Sequence, residues 1–464
     1  MQMDDFSLVI DDLTQEGEGV GHLSASDRLF ERDGRTSALG DDPRVGMAVF
    51  VPGVLPGDIV RVHPMRKKKH RVEGVSRVLL RPSDRRRPSP CPHASVCDGC
   101  PLIAWKEEAQ KEWKLETVRA ALTRLGGFAE AELPVFSWLS ADPIGYRNKV
   151  NLRVTSDGRL GYSKRGSHDV FPVTQCVIAH PLLQDVIQRW NAKAMKDPRW
   201  SSLVNPIRMV VLRVSSTDEM MMALVTDPID GKSRAALWKA LRPFGATVLC
   251  QSANARPGDV RLREPVFYAT DRRALHTTID GLQFSVSPAS FFQVNRFLTP
   301  RLYETALEAI PSHADASVID LYCGTGTTSL LLAQKVKEVI GVEVVRQAVN
   351  DARQNAVENG IENVTFLPAR AEDVIDELTR KTSPATVGLV DPPRKGLDRA
   401  VREALAMSAL QRLIYISCNP ASLARDLHDL LAAGFRLQAL TVCDMFAQTT
   451  EIETVSVLSR TEEE

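Results

Sequence analysis

Apolar and polar positions along the chain change their period three times. Up to about residue 80, short apolar or alternating runs (7–11, 47–51 and 58–62) are parted by turn residues. These are Gly-Glu-Gly-Val-Gly at 17–21 and Pro-Gly at 52–53 and 56–57. Short strands at this spacing predict a small β-barrel. Residues 82–101 carry proline, arginine and cysteine without a period and read as a loop. Positions 107–125 then have helical spacing, stopped by Gly126-Gly127. From Tyr146 the pattern alternates again: Val150, Leu152 and Val154 interleave with polar residues before an Asp157-Gly158 turn. A second hairpin is predicted from 207–214 to 220–226. The middle region therefore reads as mostly antiparallel, with helices such as 181–195 against it.

From about Ala316 strand and helix alternate strictly. Strands are predicted at 317–322, 338–342, 364–367, 387–390, 413–417 and 453–459, and helices at 328–334, 345–359 and 420–433. This order predicts a doubly wound, Rossmann-like α/β sheet with ligands at the carboxyl ends of its strands. The expected division is a barrel at 1–80, a central α+β domain at 81–285 and an α/β domain at 286–464. No internal repeat is found.

Of the 464 residues 44% are hydrophobic and 25% charged, which excludes a disordered or collagen-like chain. No run approaches the roughly 18 uncharged apolar residues that a membrane span needs. The amino terminus is acidic where a signal peptide is basic, so the expected location is cytoplasmic. Formal charge is zero, yet residues 61–87 hold eleven Lys/Arg against Glu73 and Asp84. Such a run suits a phosphate backbone, with a solvated linker as the plainer alternative.

Candidate chemistry gathers on the α/β region. Val-Ile-Asp-Leu-Tyr-Cys-Gly-Thr-Gly-Thr (318–327) places Gly324 and Gly326 directly after its first strand, where backbone can approach a ligand before a helix. Glu343 ends the second strand and could accept ribose hydroxyls. NAD-binding folds share this pattern. The missing third glycine and Asp391-Pro392-Pro393-Arg394 after the fourth strand favour S-adenosylmethionine. Cys418 falls at the tip of the fifth strand and at a helix start, a position that favours a thiolate, although most lone cysteines are structural. Cys91, Cys97 and Cys100 with distant Cys176 offer four thiolates for zinc or an iron–sulfur cluster, and His93 or His180 could join a mixed zinc site. Cys250, Cys323 and Cys443 read as core.

Several stretches resemble the RNA 5-methyluridine methyltransferase family. They are Asp-Pro-Pro-Arg-Lys-Gly (391–396), Tyr-Ile-Ser-Cys-Asn-Pro-Ala-Ser-Leu-Ala-Arg-Asp-Leu (415–427), Asp-Met-Phe-Ala-Gln-Thr-Thr-Glu-Ile-Glu-Thr-Val (444–455), Tyr-Arg-Asn-Lys (146–149) and Phe-Phe-Gln-Val-Asn (291–295). The segment Val-Pro-Gly-Val-Leu-Pro-Gly-Asp-Ile-Val-Arg-Val (51–62) resembles the TRAM domain, an OB-like RNA-binding barrel. The resemblance implies Cys418 as nucleophile toward uracil carbon 6 and Glu453 as the base that removes the carbon 5 proton. It implies cofactor contacts at Gln293, Tyr322, Thr327, Glu343, Arg370 and Asp391, beside Gly324 and Gly326. Members often carry His two residues before the base. Here that position is Glu451, a carboxylate expected to raise the pKa of Glu453.

The cysteine spacing is similar to that of bacterial 23S ribosomal RNA uracil-5-methyltransferases, which hold a 4Fe–4S cluster. The resemblance therefore favours that cluster over zinc on Cys91, Cys97, Cys100 and Cys176. The partner it implies is 23S rRNA, with tRNA second, for a monomeric enzyme. A non-catalytic RNA chaperone and a nicotinamide oxidoreductase are the other classes.

Overall fold

The computed structural model describes residues 4–31, 35–42, 44–254, 256, 261–310, 315–380 and 386–460. Two compact units are found. The first comprises Met1–Lys114 with Lys164–His168 and Gln448–Glu451; the second comprises Leu115–Ser163, Asp169–Ala447 and Ile452–Glu464.

In the first unit the short strands form one sheet. Asp5–Val9 pairs with Ile59–Lys67, and two residues later Asp12–Leu13 pairs with Glu18–His22. The bent segment thus borders both sides, and the strands between them (Ala48–Pro52 and Arg71–Arg81) complete the circuit. That is an OB-like order, with Phe6, Leu8, Val49, Val51, Val60, Val62 and Val72 in the interior.

The basic run is not simply a solvent-facing stripe. Asp58, fully buried, accepts hydrogen bonds from Arg86 (2.7 and 2.5 Å), Leu55 N and Ser83 N. Arg61 pairs with Asp5, Lys68 and Arg71 with Glu73, Arg85 with Glu112 and Arg87 with Glu107. Arg66, Lys67, Lys69, Arg77 and Arg81 form no ion pair among the described residues, so the run's capacity for phosphate lies with these five.

The second unit contains two large sheets. The seven-stranded sheet is antiparallel except where Met220–Thr226 runs parallel to Val248–Ala253. The eight-stranded sheet has the order Val364–Pro368, Glu338–Glu343, Ser317–Leu321, Thr386–Val390, Arg412–Ser417, Glu453–Ser459, Arg436–Cys443, Ser137–Leu139. Its first five strands are parallel and Glu453–Ser459 is antiparallel to both neighbours. The edge strand Ser137–Leu139 comes from far outside the α/β region. Among the described residues no helix is long and apolar enough to cross a membrane.

Candidate active site

Register does most of the positioning. Ser417 pairs with Thr454, and the Thr454 hydroxyl donates to Ser417 O at 3.2 Å. Because the strands are antiparallel, the next residue on one and the preceding residue on the other are Cys418 and Glu453. Both therefore lie at the carboxyl ends of the parallel strands. Glu453 is buried and Cys418 half-buried. A helix, Pro420–Ala432, starts directly behind Cys418; Asn419 caps it by accepting from Ala421 N and Ser422 N. The same Asn419 donates to Arg394 O at 3.2 Å, tying the cysteine loop to the loop after Asp391.

Sequence reasoning gave Asp426 no role, yet it organises that loop. Fully buried, it accepts from Leu397 N (2.7 Å), the Tyr415 hydroxyl (2.7 Å) and Arg425. Gly396, at φ +76°, leaves room for it, since a Cβ there would stand 2.5 Å from Asp426 Oδ2. The signal was an acid placed among apolar positions of a helical run, 423–430.

The glycine loop leaves the first strand through Tyr322, which holds a left-handed φ of +66°. Strain of this kind in a non-glycine residue is costly and clusters at ligand sites. Gly326, just before Thr327, has a packing reason: a Cβ would meet Phe366 Cζ at 2.8 Å and Ala352 Cβ at 2.9 Å. Gly324 differs, because a Cβ there would meet nothing within 4 Å. Across this opening Glu343 accepts from Gly324 N (3.2 Å) and Val345 N (2.7 Å). Open backbone beside a fixed carboxylate fits an adenosyl cofactor.

Carboxyl groups crowd this end of the sheet. Asp320 is buried and takes a 2.6 Å hydrogen bond from Ser329. Burial, with Asp391 and Glu343 nearby, pushes its pKa up to about 7. Burial likewise lifts the Asp391 carboxyl well above the usual range. Burial raises the phenol of Tyr303, to which the charges of Asp391, Asp320 and Glu453 add. Asp320 and Tyr303 were not singled out from the sequence, although an aspartate inside the apolar Val-Ile-Asp-Leu strand was a visible cue.

Gln293 is buried on a loop held by the Tyr146–Lys149 segment. Asn148 Nδ2 donates to Gln293 O (3.2 Å), Asn148 N to Val294 O (2.8 Å), and Arg296 N to Tyr146 O (3.1 Å). Tyr146 in turn donates through its hydroxyl to Ala447 O, and Asn295 Nδ2 donates to Met445 O, so these two stretches and 444–447 are linked. Arg370 follows Ala369, whose N donates to Glu343 O at 3.1 Å, and its charge acts on the Tyr322 phenol. It is exposed at the start of Ala371–Arg380 and its guanidinium is taken up by Glu372. Glu451 lies in the short segment that belongs to the first unit.

The four cysteines of the expected metal centre are divided between the two units. Cys91, Cys97 and Cys100 lie half-buried in the first unit, with Gly99 N donating to Cys97 Sγ at 3.5 Å, and Cys176 belongs to the second unit. Among the described residues no three His, Cys, Asp or Glu side chains converge to hold an ion. Cys250, Cys323 and Cys443 are buried, and burial raises the Cys250 thiol to about 12.

A model of the tRNA (uracil-5-)-methyltransferase family matches residues 272–461. An uncharacterized RNA methyltransferase of Clostridium tetani is 31% identical over 468 residues, covering 98% of this chain and 96% of that one. One of Geobacter sulfurreducens is 34% identical over 426 residues, covering 89% and 86%. Among solved structures, the Pyrococcus abyssi tRNA (uracil-54, C5)-methyltransferase in complex with S-adenosyl-L-homocysteine superimposes with a TM-score of 0.73. It covers 97% of this chain and 100% of its own at 22% identity, and so shares the fold.

Proposed function

This chain belongs to the RNA (uracil-5-)-methyltransferase family, and we propose that it methylates carbon 5 of a uridine in 23S ribosomal RNA through a covalent Cys418–uracil adduct. The observation that supports the reading is the Ser417–Thr454 pairing, since Cys418 and Glu453 each stand one residue beyond it at the carboxyl ends of the parallel strands. Carbon 5 of uracil is a weak nucleophile. Attack of the Cys418 thiolate forms an S–C6 bond and moves the C5–C6 π electrons toward the 4-oxygen as an enolate. Bound at the Gly324–Glu343 side, S-adenosylmethionine supplies a methyl group made electrophilic by its sulfonium. Carbon 5 of the enolate takes that methyl. Glu453 then accepts the carbon 5 proton, the C5=C6 bond re-forms and the C6–S bond breaks, returning Cys418. In this reading Tyr322, Gly324, Gly326, Thr327 and Glu343 hold the cofactor, while Gln293 and Asp391 face both cofactor and base. Methyl transfer moves no net electron, so the reaction makes no call on the 4Fe–4S cluster that the resemblance implied.

The rRNA assignment is supported by the OB-like barrel with its five unpaired cations and by the cysteine-rich loop. Mass-spectrometric mapping of 5-methyluridine in rRNA and tRNA, with and without this gene, tests it. Loss at one or two 23S sites is expected. Loss confined to tRNA overturns the substrate and keeps the chemistry. No change at any uridine, or full complementation by Cys418→Ala, overturns the enzymatic reading in favour of an RNA chaperone.

A further inference from the structure

The seven-stranded sheet holds a group of cations that the mechanism above leaves unused. Lys149 and Arg213 are direct cross-strand partners, an arrangement in which like charges repel. Arg147 adjoins them, its Nε donating to Lys149 O at 3.0 Å. Arg213 is only 4% exposed; Nη2 donates to Ser290 O at 3.1 Å, and Nη1, also buried, has no partner among the described residues. None of the three forms an ion pair with a carboxylate among the described residues. Asp351, which the Ser290 hydroxyl reaches at 2.7 Å, is also taken up by the Ser287 hydroxyl (3.3 Å) and the Gln347 amide (2.8 Å).

Buried charge without a counter-charge is expensive unless something compensates it. The expense shows in the amines: burial, with Arg213 and Arg147 adding repulsion, lowers Lys149 to about 8, and burial lowers Arg213 to about 10. Lys149 and Arg147 are only half-buried, so an anion can reach them from solvent with Arg213 behind. The location is equally specific. Arg213 holds Ser290 and Asn148 holds Gln293, so the group borders the loop that carries Gln293.

We propose that Arg147, Lys149 and Arg213 form a phosphate subsite that grips the RNA backbone next to the uridine presented to Cys418. The proposal rests on the RNA-uridine reading for the identity of that nucleotide. The cations by themselves call for an anion, and the RNA reading makes it a phosphodiester. A phosphate there neutralises the facing pair and anchors the strand beside the Gln293 loop.

The test is equilibrium binding of fluorescein-labelled oligouridine RNA to the full chain across a salt series, with S-adenosylhomocysteine binding as control. Lys149→Met and Arg213→Met are each expected to weaken RNA roughly tenfold and to flatten the slope of log K against log salt by about 0.7 per charge removed. S-adenosylhomocysteine affinity stays unchanged, and Lys149→Arg restores the slope. If Arg213→Met does not fold, Lys149→Met and Arg147→Met decide. Folded variants with wild-type affinity and slope overturn the subsite, even if the wild type methylates uridine. Flattened slopes in a protein that methylates no uridine keep the subsite and overturn the catalytic reading instead.

Discussion

The two large sheets of the second unit bury charge of opposite sign. At the edge of the eight-stranded sheet Asp320, Asp391, Glu343 and Glu453 gather, and burial holds the first two toward their protonated forms. In the seven-stranded sheet Lys149 and Arg213 face one another, and burial pulls both toward deprotonation. Each cluster of like charge is unfavourable by itself, and a ligand of opposite charge relieves it. A sulfonium cation suits the carboxyl edge and a phosphodiester suits the cation sheet. The difference between them is chemical: the carboxyl edge also carries the half-buried Cys418 thiol.

That difference is broken most completely at the thiol. Cys418→Ala is expected to lower methyl transfer by at least about 10⁴-fold, while cofactor and RNA binding persist. Glu453→Gln is expected to slow turnover by about 10²–10⁴-fold in a distinguishable way. Methyl reaches carbon 5, the proton stays, and a protein–RNA adduct accumulates as a denaturant-resistant gel shift. Absence of that adduct from an otherwise folded Glu453→Gln protein would assign the base elsewhere.

The two loop glycines sharpen the account of the cofactor side. Both have positive φ, so alanine at either costs about 1–2 kcal/mol in strain. At position 326 the methyl also collides with Phe366 and Ala352, and the expected loss of stability is larger, about 3 kcal/mol. Gly324→Ala meets no protein atom, so its additional loss should appear only in S-adenosylmethionine affinity. Thermal melts with and without cofactor separate the two. Equal cofactor-dependent shifts in Gly324→Ala and wild type would remove Gly324 from the site.

A smaller effect comes from the lifted carboxyls. A carboxyl whose folded pKa is raised carries a proton that the unfolded chain has already released. Its contribution to stability is full below about pH 4 and is lost as pH rises toward about 7. A bound cation favours the ionised form and expels that proton. S-adenosylmethionine affinity should therefore rise with pH below about 7, approaching about tenfold per pH unit. S-adenosylhomocysteine, without the positive sulfur, should show less of this rise, and Asp391→Asn should reduce the difference. Identical pH profiles for the two ligands in calorimetry would contradict the assignment.

Much of the eight-stranded sheet was legible because it depends on local alternation. Strand, glycine turn and helix repeat from residue 316, and Cys418 follows directly on the strand Arg412–Ser417 as that alternation predicts. What was not legible depends on partners distant in sequence. Ser137–Leu139 is too short to carry a period, yet it completes the sheet edge beside Arg436–Cys443. Arg213 reads as one polar position in the strand 207–214; its burial is set by the 287–293 loop. The basic run gave the right count of cations, but the acids at 5, 58, 73, 107 and 112 decide which of them are occupied.

Arg370 is the mildest case and discriminates most finely between resemblance and geometry. The resemblance places it among the cofactor contacts. In the structure it is exposed and its guanidinium engages Glu372, two residues away. Exposed pairs of this kind contribute little, and an arginine already engaged gives little to a ligand. Arg370→Ala is therefore expected to leave S-adenosylmethionine affinity within about twofold of wild type. Glu372→Ala, which releases the guanidinium, should change it no more. A loss beyond tenfold in Arg370→Ala alone would mean that the guanidinium leaves Glu372 when the cofactor binds, restoring the contact that the resemblance implies.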